Sequence, residues 1–249
     1  LLDMAEDITR SQQTPDTGLL LQAHHAIAVT LFYFGELRSS QAHFEQALVY
    51  YDPARHRALA SLYGPDPWVA CRAWGSQVLW LLGYPDQALQ AVQEALAYAQ
   101  ELSHPFSIAF TAYCLAMVHQ LRQESAACQM YGEMQLKLSE EHGLLYWQAP
   151  GSVLLGWAWA AQGRADEGLQ CLQRGVALRQ AMVALPRPYY SVLLAEAYRR
   201  ADKLDEAFEV VMQALEAMEI LGEYWCGAEL YRLQGELMLQ RAADSRPRP

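Results

Sequence analysis

Residues 154–178 read LLGWAWAAQGRADEGLQCLQRGVAL, and this stretch decides the fold. Its first half has a large-small pair, Leu155 and Gly156, and its second half has the pattern small, bulky, small at Gly168, Leu172 and Gly175. Gly163 lies between them and can close a helix in a left-handed conformation. The stretch therefore predicts two helices that approach closely and are joined by a short turn.

The same turn recurs at intervals of about forty residues. Its five copies are FGELRSSQA at 34–42, LGYPDQALQ at 82–90, LRQESAACQ at 121–129, QGRADEGLQ at 162–170 and RADKLDEAF at 200–208. The small residue that closes each turn is Ser40, Ala88, Ala127, Gly168 or Ala207, which gives spacings of 48, 39, 41 and 39. The third copy is the weakest, because Arg122 replaces the turn glycine and Met134 replaces the final small residue.

The blocks between the turns have helical periodicity, and no stretch alternates like a β-strand. The sequence predicts one continuous domain over 1–249, with an insertion at 53–67 that lengthens the first spacing. Its predicted parts are repeats at about 19–53, 68–103, 105–142, 147–182 and 187–221, a capping helix at 223–241, and a flexible tail at 242–249.

The pattern resembles the tetratricopeptide repeat (TPR) over about 220 residues. The fourth unit matches as quoted above, and the first matches with Ile27, Ala28, Ser40, Phe44 and Ala47. The fifth matches with Leu194, Ala195, Ala207, Val211 and Ala214, whereas the second matches well on its second helix, with Ala88, Val92 and Ala95, and less well on its first. This resemblance implies an all-α fold: a right-handed α-α superhelix, or TPR-like solenoid, of about five helix pairs plus a C-terminal capping helix. HEAT-type repeats share the period and are the structural alternative.

Several phrases resemble one particular group, the C-terminal repeat region of large bacterial signalling ATPases and adenylate/guanylate cyclase fusion proteins. These phrases are QAHHAIAVTLFYFGEL, YDPARHRALASLYGPDPWVACRAW, LWLLGYPDQAL, ELSHPFSIAF and GAELYRLQGELML. The resemblance implies that catalysis lies in an upstream domain and that the repeat arm senses or binds partners. No catalytic residue is carried over, because no matching catalytic motif falls within 1–249.

Composition narrows the class of partner. The 18 Lys and Arg residues against 28 Asp and Glu give a formal charge of −10, which disfavours nucleic acid as a partner.

Five cysteines without a C-x-x-C pair are typical of reduced core thiols and of a cytoplasmic protein. Uncharged runs at 102–121 and 144–163 contain proline and polar residues, so no membrane span is expected. The start, LLDMAEDITR, looks like a fragment or a processed terminus.

The motifs of common active sites are absent from the sequence. It contains no G-x-x-x-x-G-K-[ST] phosphate loop, no G-x-G-x-x-G turn, no H-E-x-x-H and no G-x-S-x-G. No two of the seven histidines form an i, i+4 pair. We therefore expect no cofactor, no metal and no catalytic residue in this chain.

In repeat solenoids the first helix of each pair lines the concave face. Counting back from each turn gives the candidate groove residues: His25, Tyr33, Gln77, Trp80, His119, Trp157, Tyr189, Glu196, Arg199, Arg200, Arg232 and Glu236. Aromatic residues there could anchor a peptide, and the arginines could bind a carboxylate or phosphate. Alternatively, the aromatic residues belong to the core between repeats and the arginines pair with Glu196, Glu229 and Glu236.

Two functions compete. The first is a non-catalytic protein-interaction and sensing arm, whose partner is a protein, a peptide or another domain of the same polypeptide. The second is a small-molecule sensor in which Trp80 and Trp157 enclose an effector, resembling the sugar-binding repeat domain of the maltose-operon activator. An enzyme using Glu196, Arg199 and Arg200 is a remote third possibility, because no nucleophile and base are recognisable from spacing.

Overall fold

The apolar blocks fold as helices and the glycine-containing segments as turns. The structure, a computed structural model, describes residues 16–182 and 187–244, and every regular element in these ranges is helical. The long helices of the first half are α1 (Thr17–Tyr33), α2 (Leu37–Val49), α5 (Pro67–Leu81), α6 (Pro85–Glu101) and α7 (Pro105–Leu121). Those of the second half are α8 (Ser125–Glu141), α9 (Leu145–Ala161), α10 (Ala165–Met182), α11 (Pro188–Arg200), α12 (Leu204–Leu221) and α13 (Gly227–Asp244).

The described chain separates into two compact units, which divide between Val118 and His119. In the first unit α1 packs against α2, α2 against α5 and α5 against α6. In the second unit each helix from α8 to α13 packs against the next. Helix α13 continues to Asp244, so residues 242–244 of the predicted tail are helical, and the rest of that prediction, 245–249, lies outside the described ranges.

The turns within the pairs share one backbone conformation. Gly35, Gly83 and Gly163 have φ values of 80°, 90° and 89°, and Gln123 and Asp202 take the same place with 61° and 59°. A left-handed conformation at this point lets the chain reverse after one helix and begin the next. In the third turn the residue at this place is therefore Gln123, and the alignment of Arg122 with the turn glycine is wrong by one position.

This shift changes the residue at the third helix crossing. The Cys128 N–H donates to the Glu124 carbonyl at 3.0 Å, as the Ser40 N–H does to Glu36 at 2.9 Å, and Cys128 is fully buried. Cys128, not Ala127, is thus the equivalent of Ser40, and the corrected spacings are 48, 40, 40 and 39. The small position is defined by its contact with the other helix of the pair. Matching the sequence alone missed it, because the third turn has no glycine to align.

Helices α9 and α10 approach most closely at their glycines. A Cβ atom on Gly156 would lie 2.6 Å from both the Gly168 carbonyl oxygen and the Leu172 nitrogen. On Gly168 it would lie 2.5 Å from the Ala160 nitrogen. Real Cβ contacts are longer, so this backbone-to-backbone approach requires glycine at both positions.

The insertion folds as three short helical turns between α2 and α5. These are α3 (Pro53–His56), a 3₁₀ turn (Arg57–Leu59) and α4 (Ala60–Tyr63). The Asp66 side chain then caps α5, accepting hydrogen bonds from the backbone N–H groups of Trp68 at 2.9 Å and Val69 at 3.3 Å. The insertion is therefore ordered and ends on a buried carboxylate.

No helix in the described part of the chain has both the length and the apolar composition that crossing a membrane requires.

Candidate functional site

The predicted groove residues of the first unit differ from one another in their surroundings. The Gln77 side chain is fully buried, and its Nε2 donates to Cys114 Sγ at 3.5 Å. The Tyr33 ring packs edge-on against Trp74, with ring centroids 5.8 Å apart. Trp80 is half-buried near the end of α5. These contacts put Gln77 in the core and Tyr33 against an aromatic neighbour.

His25 has an unusual environment for a predicted groove residue. Its Nε2 atom is buried and has no hydrogen-bond partner, and its ring lies edge-on to Phe44 at 6.0 Å between centroids. Burial disfavours the charged imidazolium, so the pKa of His25 falls from 6.5 to about 4. The side chain is therefore neutral in the folded protein near neutral pH.

In the second unit Trp157 and Glu196 form a buried polar pair. Trp157 is 1% exposed, and its Nε1 donates to Glu196 Oε2 at 2.7 Å. These two residues lie on α9 and α11, each six positions before the left-handed residue of its turn. The same register on successive first helices thus places a donor against an acceptor.

Glu196 also lies beside a network of charges on α13. Arg232 Nη2 lies 3.7 Å from Glu196 Oε1, and the same guanidinium bonds Glu229 and Glu236. The hydrogen bonds that Arg232 donates to Glu229 raise the pKa of Arg232 above its usual range, so the guanidinium is always charged. Three glutamates thus surround this one arginine, as expected if Arg232 pairs with them and serves the fold.

Two further predicted residues are fixed by hydrogen bonds. The Tyr189 hydroxyl donates to Gln120 Oε1 at 2.8 Å, and burial raises the pKa of Tyr189 well above its usual value. His119 lies 2.6 Å from Glu124 through Nδ1 and stacks on Tyr131 with 5.4 Å between ring centroids. Neither side chain is available to a ligand without breaking these contacts.

Arg199 and Arg200 end α11 and differ from Arg232. Arg200 is exposed, and the described residues offer it no ion pair. The Nε atom of Arg199 is buried without a hydrogen-bond partner. Of these two arginines, Arg200 therefore has the exposed donors that a partner could use.

Sequence reasoning missed two polar clusters. In the second unit Arg187 Nη1 lies 3.2 Å from Glu223 Oε1, and burial raises the pKa of Glu223 although Arg187 and Arg179 oppose this shift. In the first unit Arg57 and Asp66 of the insertion line a cavity of about 480 Å³. The sequence signal for the second cluster was the insertion itself, which breaks the repeat period.

Comparison with known protein sequences gives a partial match to a longer protein. No protein-family model matches the chain. Over 219 residues, or 87% of the chain, it is 24% identical to an uncharacterized protein of Rhizobium meliloti (strain 1021). The chain spans about a fifth of that relative, since the match covers 21% of its length.

Solved structures with similar folds are repeat proteins. BtubC from P. vanneervenii is 16% identical, with a TM-score of 0.60 over 90% of this chain and 89% of that one. A thermophilic TPR protein from Thermus thermophilus is 17% identical, with a TM-score of 0.54 over 88% and 99%. A Rap protein complexed with competence and sporulation factor is 16% identical, with a TM-score of 0.57 over 91% of this chain and 66% of that one.

These likenesses, together with the helix pairs, confirm the predicted fold class. The chain has an all-α, TPR-like repeat fold. At this level of identity they establish the fold alone.

Proposed function

We propose that this chain is a non-catalytic protein-interaction and sensing module that forms the regulatory C-terminal arm of a larger bacterial signal-transduction ATPase or cyclase. Catalysis then belongs to an upstream domain, and the partner is a protein, a peptide or another domain of the same polypeptide. We place the module in the cytoplasm, a location that its five buried free cysteines support.

The observation that carries this proposal is the partial match to a much longer protein. The chain aligns over 87% of its own length but over 21% of the Rhizobium protein, as a module within a larger polypeptide would. Stacked helix pairs present extended surfaces that suit contacts with another chain or domain. The exposed Arg200 gives this surface donors for a carboxylate on the partner.

The test uses the complete polypeptide from the gene that encodes this segment. If its reading frame includes an upstream G-x-x-x-x-G-K-[ST] loop, triphosphate hydrolysis is measured with and without residues 17–244. We expect removal of the segment to change the hydrolysis rate severalfold. A protein without such a loop or cyclase domain, or one whose activity is the same in both forms, would contradict the proposal.

A charge reversal tests which surface transmits this effect. Arg200→Glu alters an exposed residue at the end of a first helix, and Arg174→Glu alters an exposed residue on α10, a second helix. We expect Arg200→Glu to reproduce much of the effect of deletion and Arg174→Glu to leave the hydrolysis rate unchanged. Equal effects of the two variants would assign the interaction to another surface.

The alternative function is a small-molecule sensor. Trp157, which that hypothesis uses to enclose the ligand, is 1% exposed and already bonded to Glu196, so the groove offers it no open face. The cavity of the first unit favours this function instead, at residues outside the predicted groove.

A further inference from the structure

The break in the repeat period coincides with a cavity. The spacing of 48 between Ser40 and Ala88 exceeds the others by about eight residues, which fold into the insertion. The cavity of about 480 Å³ is lined by Arg57, Ala60, Ser61 and Asp66 of the insertion and by Glu101, Leu102 and His104 of the α6–α7 turn. A regular repeat would lack the first four residues, so the insertion builds this cavity.

One wall of the cavity is fixed by a chain of hydrogen bonds. The Tyr51 hydroxyl donates to Asp66 Oδ2 at 3.0 Å and lies 3.1 Å from the Tyr98 hydroxyl. Arg57 Nη2 donates to that Tyr98 hydroxyl at 3.3 Å. Since each hydroxyl has one proton, Tyr98 donates to Tyr51, and the order runs from guanidinium to carboxylate. Arg57 is held in place while its other donors remain available.

A second set of hydrogen bonds ties Asp66 to the turn between α6 and α7 and to the start of α7. The Asp66 backbone N–H donates to Ser107 Oγ at 2.9 Å, and this hydroxyl lies 2.8 Å from His104 Nδ1. Asp66 is 1% exposed and Ser107 is fully buried, so this linkage is part of the core. The polar lining is thus preorganised, which reduces the entropy lost when a ligand binds.

The charges of the lining restrict the ligand. Arg57 and Glu101 are both exposed residues of opposite charge that line the cavity. A purely anionic ligand would meet the carboxylates of Glu101 and Asp66, and a purely cationic one would meet Arg57. A volume of about 480 Å³ lies within the range of small-molecule sites. We propose that this cavity binds a small zwitterion of amino-acid or dipeptide size, with its carboxylate on Arg57 and its ammonium on Glu101.

The experiment is calorimetric titration of the 249-residue chain with the proteinogenic L-amino acids and their N-alanyl dipeptides. We expect at least one of these probes to bind with a submillimolar Kd. N-acetylation of that probe removes its ammonium, and C-terminal amidation removes its carboxylate. Each change is expected to weaken binding at least tenfold, which is about 1.4 kcal/mol.

Matched variants locate the site. Arg57→Ala and Glu101→Gln are each expected to weaken binding at least tenfold, whereas Arg55→Ala, an exposed arginine in α3 outside the cavity lining, leaves it unchanged. Circular dichroism confirms that each variant is folded. Arg57 and Glu101 are exposed, so their substitution leaves the core intact.

Three results would overturn the proposal. They are no binding of any probe at 10 mM, binding that acetylation and amidation leave unchanged, and equal effects of the Arg57 and Arg55 substitutions. The titration requires no upstream domain, so its failure is distinct from failure of the proposed regulatory function.

Discussion

The two units use their buried polar side chains differently. In the second unit, polar groups of the first helices bind one another, as Trp157 does with Glu196 and Tyr189 with Gln120. In the first unit, the buried carboxylate of Asp66 begins a hydrogen-bond chain that ends on an exposed arginine at a cavity wall. In these two pairs the regular repeat places a polar group against a partner on another helix, whereas the insertion directs polar groups toward a space that a ligand can fill.

Two glycines on first helices, one in each unit, differ in how closely a neighbouring helix approaches. At Gly75 of the first unit a Cβ atom would have its nearest neighbours at 3.9 Å, on Gln41 and Phe44 of α2, which is an ordinary contact. At Gly156 of the second unit the corresponding distance is 2.6 Å, to backbone atoms of α10. A glycine on a first helix is therefore replaceable at position 75, where it faces side chains of α2, and obligatory at position 156, where it faces the backbone of α10.

The largest expected effect follows from this contrast. Gly156→Ala should destabilise the protein by about 3 kcal/mol or more, because the new methyl group meets backbone that cannot rotate away. Gly75→Ala should be neutral or stabilise by about 0.5 kcal/mol, because alanine favours a helix. Urea unfolding of both variants measures the difference. If the two changes have equal effects, the close approach of α9 and α10 does not control stability.

Much of the fold could be predicted from the sequence, because small residues and turn glycines mark the places where helices touch and reverse. Gly163 was assigned a left-handed conformation from the sequence and has it, as do Gly35 and Gly83 at the same place in their turns. Gln123 was not, because glutamine gives no sign that it will adopt a positive φ. The error moved the small position of the third pair by one residue, from Cys128 to Ala127.

Less of the site could be predicted. Helical spacing assigns Trp157 and Glu196 to first helices, but their hydrogen bond joins residues 39 apart and depends on how α9 and α11 approach. The cavity beside Arg57 was missed because candidate residues were found by counting back from the turn of each repeat, and the insertion is not part of a repeat. The experiments described above test the predicted groove and the cavity.

The buried pair of the second unit gives the next effect. Glu196→Ala leaves the Trp157 N–H buried without an acceptor and should cost about 2 kcal/mol. Glu196→Gln keeps an acceptor oxygen and loses only the charge facing Arg232 3.7 Å away, so its cost should be well under half of that. Thermal unfolding of both variants measures this ratio. Equal losses would mean that the charge, and not the hydrogen bond to Trp157, stabilises the unit.

In the first unit the Nε2 atom of His25 is buried without a hydrogen-bond partner, and acid should reveal this. The folded pKa of His25, about 4, lies below the 6.5 of an exposed histidine. Between these values the unfolded chain takes up a proton that the folded chain does not, so acidification favours unfolding. Between pH 7 and 5.5 this group should cost about 1.2 kcal/mol of stability.

The measurement is the difference in unfolding free energy between the wild type and His25→Leu across this pH range. The substitution should remove that part of the slope, and His142→Gln, at an exposed histidine, should not. A slope that is identical in wild type and His25→Leu would show that the imidazole is not buried in its neutral form.

The smallest expected effect on stability comes from substituting two arginines, each of which has both an ion pair and an aromatic ring beside it. Arg72 of the first unit bonds Glu94 and lies 5.8 Å from the Trp68 ring, with its side chain 28% exposed. Arg164 of the second unit bonds Glu167 and lies 4.4 Å from the Trp159 ring, with its side chain 42% exposed. Arg72→Ala should lower stability by about 1 kcal/mol, because partial burial limits screening by water, while Arg164→Ala should leave it unchanged within error. Chemical unfolding at low and high salt distinguishes the ion pair from the contact with the aromatic ring. If Arg164→Ala is the more destabilising substitution at both salt concentrations, the shorter distance to the ring outweighs burial.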